Sequence, residues 1–382
     1  MSVVGCQSSV LTIIKSGTIF RFRWALLVLL VLAVPVLAQD GEVMPDAAHS
    51  WMAFFQHDTD DEQPRLIFID TVTGEERPMI VSGERFTPLA DSILYFDLTS
   101  GRVKLANPER GIYDHPFIQP GGDTRRVDWL VDAERGRIVW TLTSGDPAAL
   151  VTTTTIANLD GTNPRQIWVD GPRNGLRALP VAFSPDGSTL YLDFQPDGIS
   201  DLTPFQQYAA LVGLDIESGA WDYLPGEPGC FCGAGFGSGL LLRLGLTADL
   251  SGFDLQVHTL PGGLEQIIPA LDLPGYTQGG DFLVSPDASR AVYLLGQIKD
   301  FGQPDQSLRT RLITVNLQTM TQTDFALPTG TLLRPIAWTE DHSTVLLVAR
   351  QSDGTWKFDL NDQTLEQVSS AAYLGTLQAN GE

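Results

Sequence analysis

Basic residues are scarce in this chain of 382 residues. Its 24 Lys and Arg face 46 Asp and Glu, which gives a formal net charge of -22. The acidic excess is spread along the chain, and an acidic surface repels phosphate backbones, so we expect no nucleic-acid partner. With 43% hydrophobic residues the chain can bury a substantial core, which argues against a disordered protein.

Cysteine and histidine are also few. Cys230 and Cys232 stand in "PGCFCGAG", and one intervening residue makes a mutual disulfide geometrically awkward. The sequence leaves a bridge and two free thiols as alternatives. The five histidines are scattered without the spacing of metal ligands, so we expect no metal or redox centre.

Motifs for nucleotide binding and nucleophilic catalysis are incomplete. The glycine-rich "GAGFGSG" at 233–239 is not followed by the GK[ST] of a phosphate-binding loop. Ser238 has Phe236 where a G-x-S-x-G nucleophile elbow needs glycine. We interpret these glycines as strand residues at a crowded place in the fold.

The first 38 residues contain Lys15, Arg21 and Arg23 but no acidic residue, and they continue into "WALLVLLVLAVPVLAQD". This pattern predicts an export signal cleaved before Gln39; an uncleaved N-terminal anchor is the alternative. The apolar run is shorter than the roughly 20 residues of a membrane-spanning helix, so we expect no span after cleavage. The predicted organisation is a signal peptide at 1–38, a short lead at 39–49 and one domain at 50–382.

A turn followed by an apolar strand recurs along the chain. "FSPDGSTLYLDF" at 183–194 is repeated closely as "VSPDASRAVYLL" from 284 and partly as "WTEDHSTVLLVA" from 338. A second pattern follows each copy: a strand ends in Asp or Asn and enters a polar turn, as in "LVGLDIESG" from 211. Asx side chains cap tight turns, which predicts a hairpin between neighbouring strands.

Each unit therefore holds about four short strands, the content of a β-propeller blade. The second strands of the units are predicted to begin near residues 50, 93, 137, 189, 240, 290 and 344. We predict an all-β propeller with seven blades, with six or eight as alternatives. Unit 1 lacks a first strand, which "SSAAYLGTLQ" at 369–378 could supply and so close the ring.

The Ser-Pro-Asp-Gly turn before an apolar strand resembles the TolB-like, or WD40-like PD40, propeller repeats. Residues 183–192 match that pattern fully, and the repeat covers nearly all of 50–370. TolB itself has an additional small α/β domain, for which about a dozen residues between signal and first strand leave no room. The resemblance implies the fold, whereas the export signal predicts an envelope or extracellular location. The Tol-Pal partnership of TolB is not carried over.

Three insertions interrupt the units between the second and third strands, at 56–64, 195–207 and 296–309. Equivalent loops of a propeller emerge on one face, so the insertions predict a binding face; tolerated loop variation is the alternative. The candidate binding residues are Asp58, Asp60, Asp61, Asp197, Asp201, Phe205, Asp300, Phe301 and Asp305. A Ca²⁺ site in the first insertion is a weaker hypothesis than a solvated acidic turn, so no cofactor is expected.

Two functions fit this sequence. The first is an exported, non-catalytic monomer that binds a protein, peptide or glycan at the cell envelope or outside the cell. The second is an exported glycoside or lactone hydrolase that uses carboxylates near the central channel. Catalysis predicts ionisable groups with shifted pKa values converging on the channel, whereas binding predicts a broad face with aromatic anchors.

Overall fold

The repeated units form seven four-stranded antiparallel sheets, which are the blades of a β-propeller in this computed structural model. The structure describes residues 50–57, 63–199, 203–227, 229–263, 265–300, 303, 305–349 and 354–378. The one helix whose whole span is described is a short 3-10 turn at Pro147–Ala149. The predicted all-β fold with seven blades is therefore confirmed.

The first four blades follow one another along the chain. Blade 1 contains β1 Ser50–Gln56, β2 Arg65–Asp70 and β3 Glu76–Ile80. Blade 2 contains β4 Gly83–Leu89, β5 Ser92–Asp97, β6 Arg102–Asn107 and β7 Gly111–Asp114. Blade 3 contains β8 Thr124–Asp132, β9 Arg137–Ser144, β10 Leu150–Asn158 and β11 Arg165–Arg173. Blade 4 contains β12 Leu176–Phe183, β13 Thr189–Pro196, β14 Leu211–Asp215 and β15 Trp221–Tyr223.

The remaining blades complete the ring. Blade 5 contains β16 Ala234–Gly237, β17 Leu240–Leu246, β18 Phe253–Thr259 and β19 Glu265–Ile268. Blade 6 contains β20 Gln278–Val284, β21 Arg290–Lys299, β22 Ser307–Asn316 and β23 Thr321–Ala326. Blade 7 contains β24 Leu333–Trp338, β25 Thr344–Ala349, β26 Thr355–Asp359 and β27 Thr364–Ser369, and the last strand is β28 Ala372–Gln378. The second strands begin within one residue of the predicted positions.

The two ends of the chain close the ring in one sheet. Strand β28 pairs antiparallel with β1, from Ser50 opposite Gln378 to Phe55 opposite Ala372. Leu377 of β28 is fully buried, and it packs in one apolar cluster with Trp51. The C-terminal segment thus supplies the first strand of blade 1, as predicted, and β1 is paired on both edges, with β28 and β2.

The core lies between adjacent blades because several second strands, such as β5 and β21, bury residues on both faces of the sheet. One cluster joins Leu66 and Phe68 of blade 1 to Ile93 and Tyr95 of blade 2, all almost fully buried. Similar clusters recur around the ring. The first strands of neighbouring blades contact one another, so these strands surround the central channel.

The repeated Asp-containing turn is stabilised by its own side chains. The Ser184 hydroxyl donates to Asp186 Oδ1 at 2.6 Å, and the Ser188 N–H donates to the same oxygen at 3.1 Å. The Ser184 hydrogen bond comes first among the contacts that lower the pKa of Asp186 to about 2. Gly187 follows with a positive φ of 72°, where other residues are strained. This turn joins the first and second strands of the blade, as the sequence predicts.

The glycine-rich segment at 233–239 forms the first strand of blade 5 and not a phosphate loop. Strand β16 packs directly on β20 of blade 6. A Cβ at Gly235 would lie 2.2 Å from Phe282 Cβ, and one at Gly237 would lie 2.6 Å from Val284 Cβ. Glycine is needed here because side chains of β20 occupy the space that a side chain on β16 would fill.

Cys230 and Cys232 form a disulfide, with 5.3 Å between their Cα atoms, which decides between the two alternatives. The bridge lies at the start of blade 5, and the Cys232 N–H donates to Tyr208 O at 3.2 Å. A search of the described residues finds no helix long and apolar enough to cross a membrane.

Candidate functional site

The strand order places the connections of each blade on two opposite faces. Turns between first and second strands share one face with turns between third and fourth strands. The other face, here called the loop face, carries the connections between second and third strands and those between blades. The insertions of blades 1, 4 and 6 all join second to third strands, and the described strand ends that flank them lie on the loop face.

The predicted site residues fall into three groups. Asp58, Asp60, Asp61, Asp201 and Phe301 lie outside the described residues. Asp300 and Asp305 are exposed in the insertion of blade 6. Asp197 and Phe205 both belong to the insertion of blade 4, where Asp197 is half-buried and Phe205 is buried.

The blade 4 insertion crosses the mouth of the central channel. The Gln206 N–H donates to Asp281 Oδ1 at 3.0 Å, and the Gln207 side-chain amide donates to Gly279 O at 3.0 Å. Both acceptors lie on β20 of blade 6. The segment that follows is tied to blade 5 because the Tyr208 N–H donates to Cys232 O at 2.9 Å. A loop from one blade is thus held by two others.

Phe205 holds this loop in place from below. Its side chain is only 2% exposed and packs in the apolar cluster of blades 6 and 7. A Cβ at Gly296 would lie 2.4 Å from Phe205 Cζ, and one at Gly280 would lie 3.0 Å from Phe205 Cβ. Two glycines therefore make the space for the ring. The structure places Phe205 in the core and not on an open surface.

A cavity of about 450 Å³ lies between this loop and the inner strands of blades 2, 3, 4 and 7. The first residues of four inner strands line it, together with the end of β13 and the crossing loop. Its charged lining residues are Glu84, Arg85, Arg125, Arg126, Asp128, Arg177 and Arg334. The cavity is here called the arginine mouth.

Asp128 is the most buried carboxylate in the lining of the arginine mouth. Its residue is 5% exposed, and its two carboxylate oxygens each accept from a different arginine at 2.5 Å: Oδ1 from Arg85 Nη1 and Oδ2 from Arg177 Nη1. The Arg85 guanidinium also lies over the Trp129 ring, 4.7 Å from its centroid. These contacts fix two guanidinium groups from two blades at the cavity wall.

Asp197 joins the same network from the blade 4 insertion. Its Oδ1 lies 3.3 Å from Arg126 Nε and 3.7 Å from Arg177 Nε, and its Oδ2 lies 3.3 Å from Arg125 Nη2. The side chains of Arg125 and Arg126 remain 41% and 37% exposed. Two guanidinium groups therefore stay accessible at the entrance of the cavity.

Arg334, on β24 of blade 7, lines the cavity next to blade 6. Its Nε lies 3.3 Å from Asp281 Oδ2, and its Nη2 donates to Pro204 O at 2.6 Å. Arg334 thus contacts both blade 6 and the crossing loop. The arginine mouth collects five guanidinium groups in a chain whose net charge is strongly negative.

Asp193 lies behind the cavity wall and is not accessible. It is fully buried, and its Oδ1 accepts from the Ala209 and Ala210 N–H groups at 2.9 Å. Burial raises the pKa of Asp193 to about 7, mainly because the charged form loses its hydration. Its position fits a role in holding the end of the crossing loop, since substrate cannot reach it.

The arginines of the mouth are not among the residues predicted from the sequence, although a usable pattern exists. Each lies within the first three residues of an inner strand, in β4, β8, β12 or β24. Residues at the start of inner strands surround the channel on one face. In a chain with few basic residues, their recurrence at that position could have predicted the cluster.

A second cavity, of about 470 Å³, lies between blades 4 and 5. Trp221 and Tyr223, on the short outer strand β15, line it and are 42% and 48% exposed. They are aromatic side chains of the kind expected in a binder, yet they lie away from the three insertions.

Comparisons with known proteins return structures only. No family model matches the chain, and no curated protein matches it. Hydrazine synthase of Kuenenia stuttgartiensis is 10% identical over 72% of this chain and 75% of that one, with a TM-score of 0.46. TolB from Acinetobacter baumannii is 12% identical over 74% and 64%, with a TM-score of 0.41. A putative 6-phosphogluconolactonase from Bacteroides fragilis is 14% identical over 89% and 100%, with a TM-score of 0.46.

Proposed function

We propose that this propeller is an exported, non-catalytic binding protein whose ligand enters the arginine mouth on the loop face. The partner is a protein, peptide or glycan that carries an anionic group, at the cell envelope or outside the cell. Export rests on the sequence of the first 38 residues, and the TolB-like character rests on the repeat pattern. The arginine mouth is the observation that carries the binding site.

The charges of the mouth favour recognition over hydrolysis. A hydrolase needs a carboxylate that can accept or donate a proton at the substrate. Asp128 and Asp197 instead lie within ion-pair distance of arginines. Asp193 has a pKa suited to proton transfer, but it is fully buried and hydrogen-bonded to the backbone. Guanidinium groups held in this way present fixed donors to an anion.

Direct binding and product analysis test this proposal together. Mature protein is screened by calorimetry against short peptides and acidic saccharides. Each bound probe is then recovered, and its mass is measured by mass spectrometry. We expect probes that bind to be recovered unchanged. Conversion of any probe by the wild-type protein would favour the hydrolase instead.

A double variant locates the binding site. Arg125→Ala with Arg126→Ala removes the two accessible guanidinium groups and leaves the buried pairs of Asp128 in place. Arg165→Ala is the matched control: its side chain is 44% exposed, on the outer strand β11. We expect the double variant to weaken binding by about tenfold or more, as removal of charged hydrogen bonds does. Equal binding by double variant and control would place the ligand elsewhere.

A further inference from the structure

We infer that the cavity between blades 4 and 5 binds an alkylammonium group, such as the side chain of a lysine in a partner protein. This cavity, of about 470 Å³, is here called the blade 4–5 cleft. It would be a second site, for a cation, and does not depend on the ligand of the arginine mouth. Three properties of the cleft carry the inference: unopposed carboxylates, an unpartnered buried hydroxyl and apolar walls.

The blade 4–5 cleft lies on the face opposite to the loop face. Thr189 is the first residue of β13 and Asp215 is the last residue of β14, and both line the cleft. The facing wall is Leu260–Gly262, in the turn between the third and fourth strands of blade 5. No described residue lines both this cleft and the arginine mouth. The two cavities are therefore separate sites.

The strand register decides which side chains of blade 4 face the cleft. Gly213 of β14 lies opposite Tyr191 on one neighbouring strand and opposite Asp222 on the other, so the three share one face of the sheet. The Tyr191 ring on that face stacks on Phe236 of blade 5. Asp215, two residues after Gly213, lies on the same face. Both carboxylates of the lining thus point from blade 4 toward blade 5.

The charge of the cleft selects a cation. Asp215 and Asp222 are diagonal neighbours on paired strands, close enough for one ligand to reach both. Their Oδ1 atoms accept from uncharged donors only: the Ser218 N–H and hydroxyl at 2.7 and 2.6 Å, and the Tyr223 N–H at 2.8 Å. The described lining contains no Lys, Arg or His. An ammonium group would be the first positive charge beside these two carboxylates.

The Tyr191 hydroxyl offers a third acceptor. Tyr191 is only 4% exposed, and its hydroxyl has no hydrogen-bond partner among the described residues; burial comes first among the causes that raise its pKa. A Cβ at Gly213 would lie 3.7 Å from Tyr191 Cε1, so the missing side chain leaves this ring edge open to the cleft. Buried polar atoms normally have a partner. An ammonium group has three donors, which matches the hydroxyl and the two carboxylates.

The apolar walls favour an alkyl chain over a sugar. Leu224, Leu260 and Pro261 line the cleft, a surface suited to the methylene groups of a lysine. A saccharide would instead stack on the open face of an aromatic ring. Trp221 and Tyr223 alternate with the cleft-facing residue between them along β15, so their rings lie on the other face of the sheet.

A metal ion fits the cleft less well than an ammonium group does. A search of the described residues finds no group of three or more His, Cys, Asp or Glu that could hold a metal ion. Ca²⁺ takes six or more oxygen ligands, whereas the cleft offers two carboxylates and one phenol.

Matched peptides test the ammonium group by calorimetry on the mature protein. The probes are N-acetyl-glycyl-lysyl-glycinamide and N-acetyl-glycyl-norleucyl-glycinamide, which differ only in the terminal ammonium. We expect the lysine peptide to bind at least about tenfold more tightly, and to lose affinity as salt is added. Equal binding of the two peptides, or no binding of the lysine peptide at millimolar concentration, would overturn the inference.

Two further probes identify the source of the cation. Binding of 1,5-diaminopentane without binding of the lysine peptide would support the ammonium chemistry and assign it to a free amine. Calcium chloride tests the metal ion alone. Tighter binding of Ca²⁺ than of either amine, lost in Asp222→Asn, would overturn the inference.

The variants locate the ligand. Asp222→Asn removes one charge from an exposed side chain, and Tyr191→Phe removes only the hydroxyl. Asp362→Asn is the matched control, since that exposed carboxylate also accepts a backbone N–H but lies in blade 7. We expect each cleft variant to weaken binding of the lysine peptide about threefold or more, and the control to retain it. Equal binding by Asp222→Asn and Asp362→Asn would overturn the inference.

The arginine double variant separates this inference from the proposed function. We expect Arg125→Ala with Arg126→Ala to bind the lysine peptide as the wild type does. Loss of lysine-peptide binding in the double variant would place this ligand in the arginine mouth and contradict a second site.

Discussion

Asp193→Asn should change how the stability of this propeller depends on pH. Asp193 is fully buried in β13, and burial raises its pKa from 3.8 to about 7. The folded protein therefore holds the proton more tightly than the unfolded chain does. The stability from this group is fully present below pH 3.8 and is lost as the pH rises to about 7.

The size of the effect follows from the same shift. A pKa raised from 3.8 to about 7 corresponds to roughly 4 kcal/mol of unfolding free energy lost across this pH range. Asn cannot ionise, so the variant lacks this loss. Its side-chain oxygen can still accept from the Ala209 and Ala210 N–H groups, which keeps the crossing loop in place. The amide NH₂ in place of Oδ2 adds a cost that does not depend on pH.

Urea unfolding of wild type and variant at about pH 4 and about pH 7.5 measures the difference. We expect Asp193→Asn to gain about 4 kcal/mol relative to wild type between the two conditions. Other titrating groups, including His115, whose pKa burial lowers to about 4, cancel in this comparison. Asp254→Asn is the control, since that carboxylate also accepts a backbone N–H but is only half-buried. Parallel pH profiles for wild type and Asp193→Asn would refute the reasoning.

Three further predictions concern the loop, the ring and the disulfide. Phe205→Ala should lower the free energy of unfolding in urea by about 3–5 kcal/mol and weaken probe binding, because an almost fully buried ring anchors the crossing loop. An unchanged urea midpoint would contradict this. Leu377→Ala should lower the free energy of unfolding by about 2–5 kcal/mol, since a fully buried side chain helps to close the ring. A loss below about 1 kcal/mol, the size expected of a surface change, would argue against closure by β28. Cys230 and Cys232 should resist alkylation until a reductant is added, as mass spectrometry can measure; labelling of the native, unreduced protein would exclude the bridge.

The blades could be predicted because their signals are local and repeated. Ser184, Asp186 and Ser188 form a turn within five residues, so the same letters give the same turn in each copy. Alternation and length then locate the strand that follows. The closing strand at Ala372–Gln378 was also predictable, since a ring with a missing first strand must find it at the other end of the chain.

The role of Phe205 could not be predicted in the same way. In the sequence it is an aromatic residue in a polar insertion, which is the pattern of a surface anchor. In the structure the missing side chains of Gly280 and Gly296 open a space that the ring fills. Burial here depends on residues of another blade, and no local pattern reports them.

The sequence by itself determined the strand order, the turn chemistry, the seven units and the place of the three insertions, because each depends on residues close together along the chain. Only the tertiary structure decided the candidate site. Closing the ring brings the first residues of inner strands from blades 2, 3, 4 and 7 around one channel, and the blade 4 insertion completes the cavity. Arginines that look like isolated charges on separate strands become one cluster there, because a closed ring places equivalent strand ends side by side.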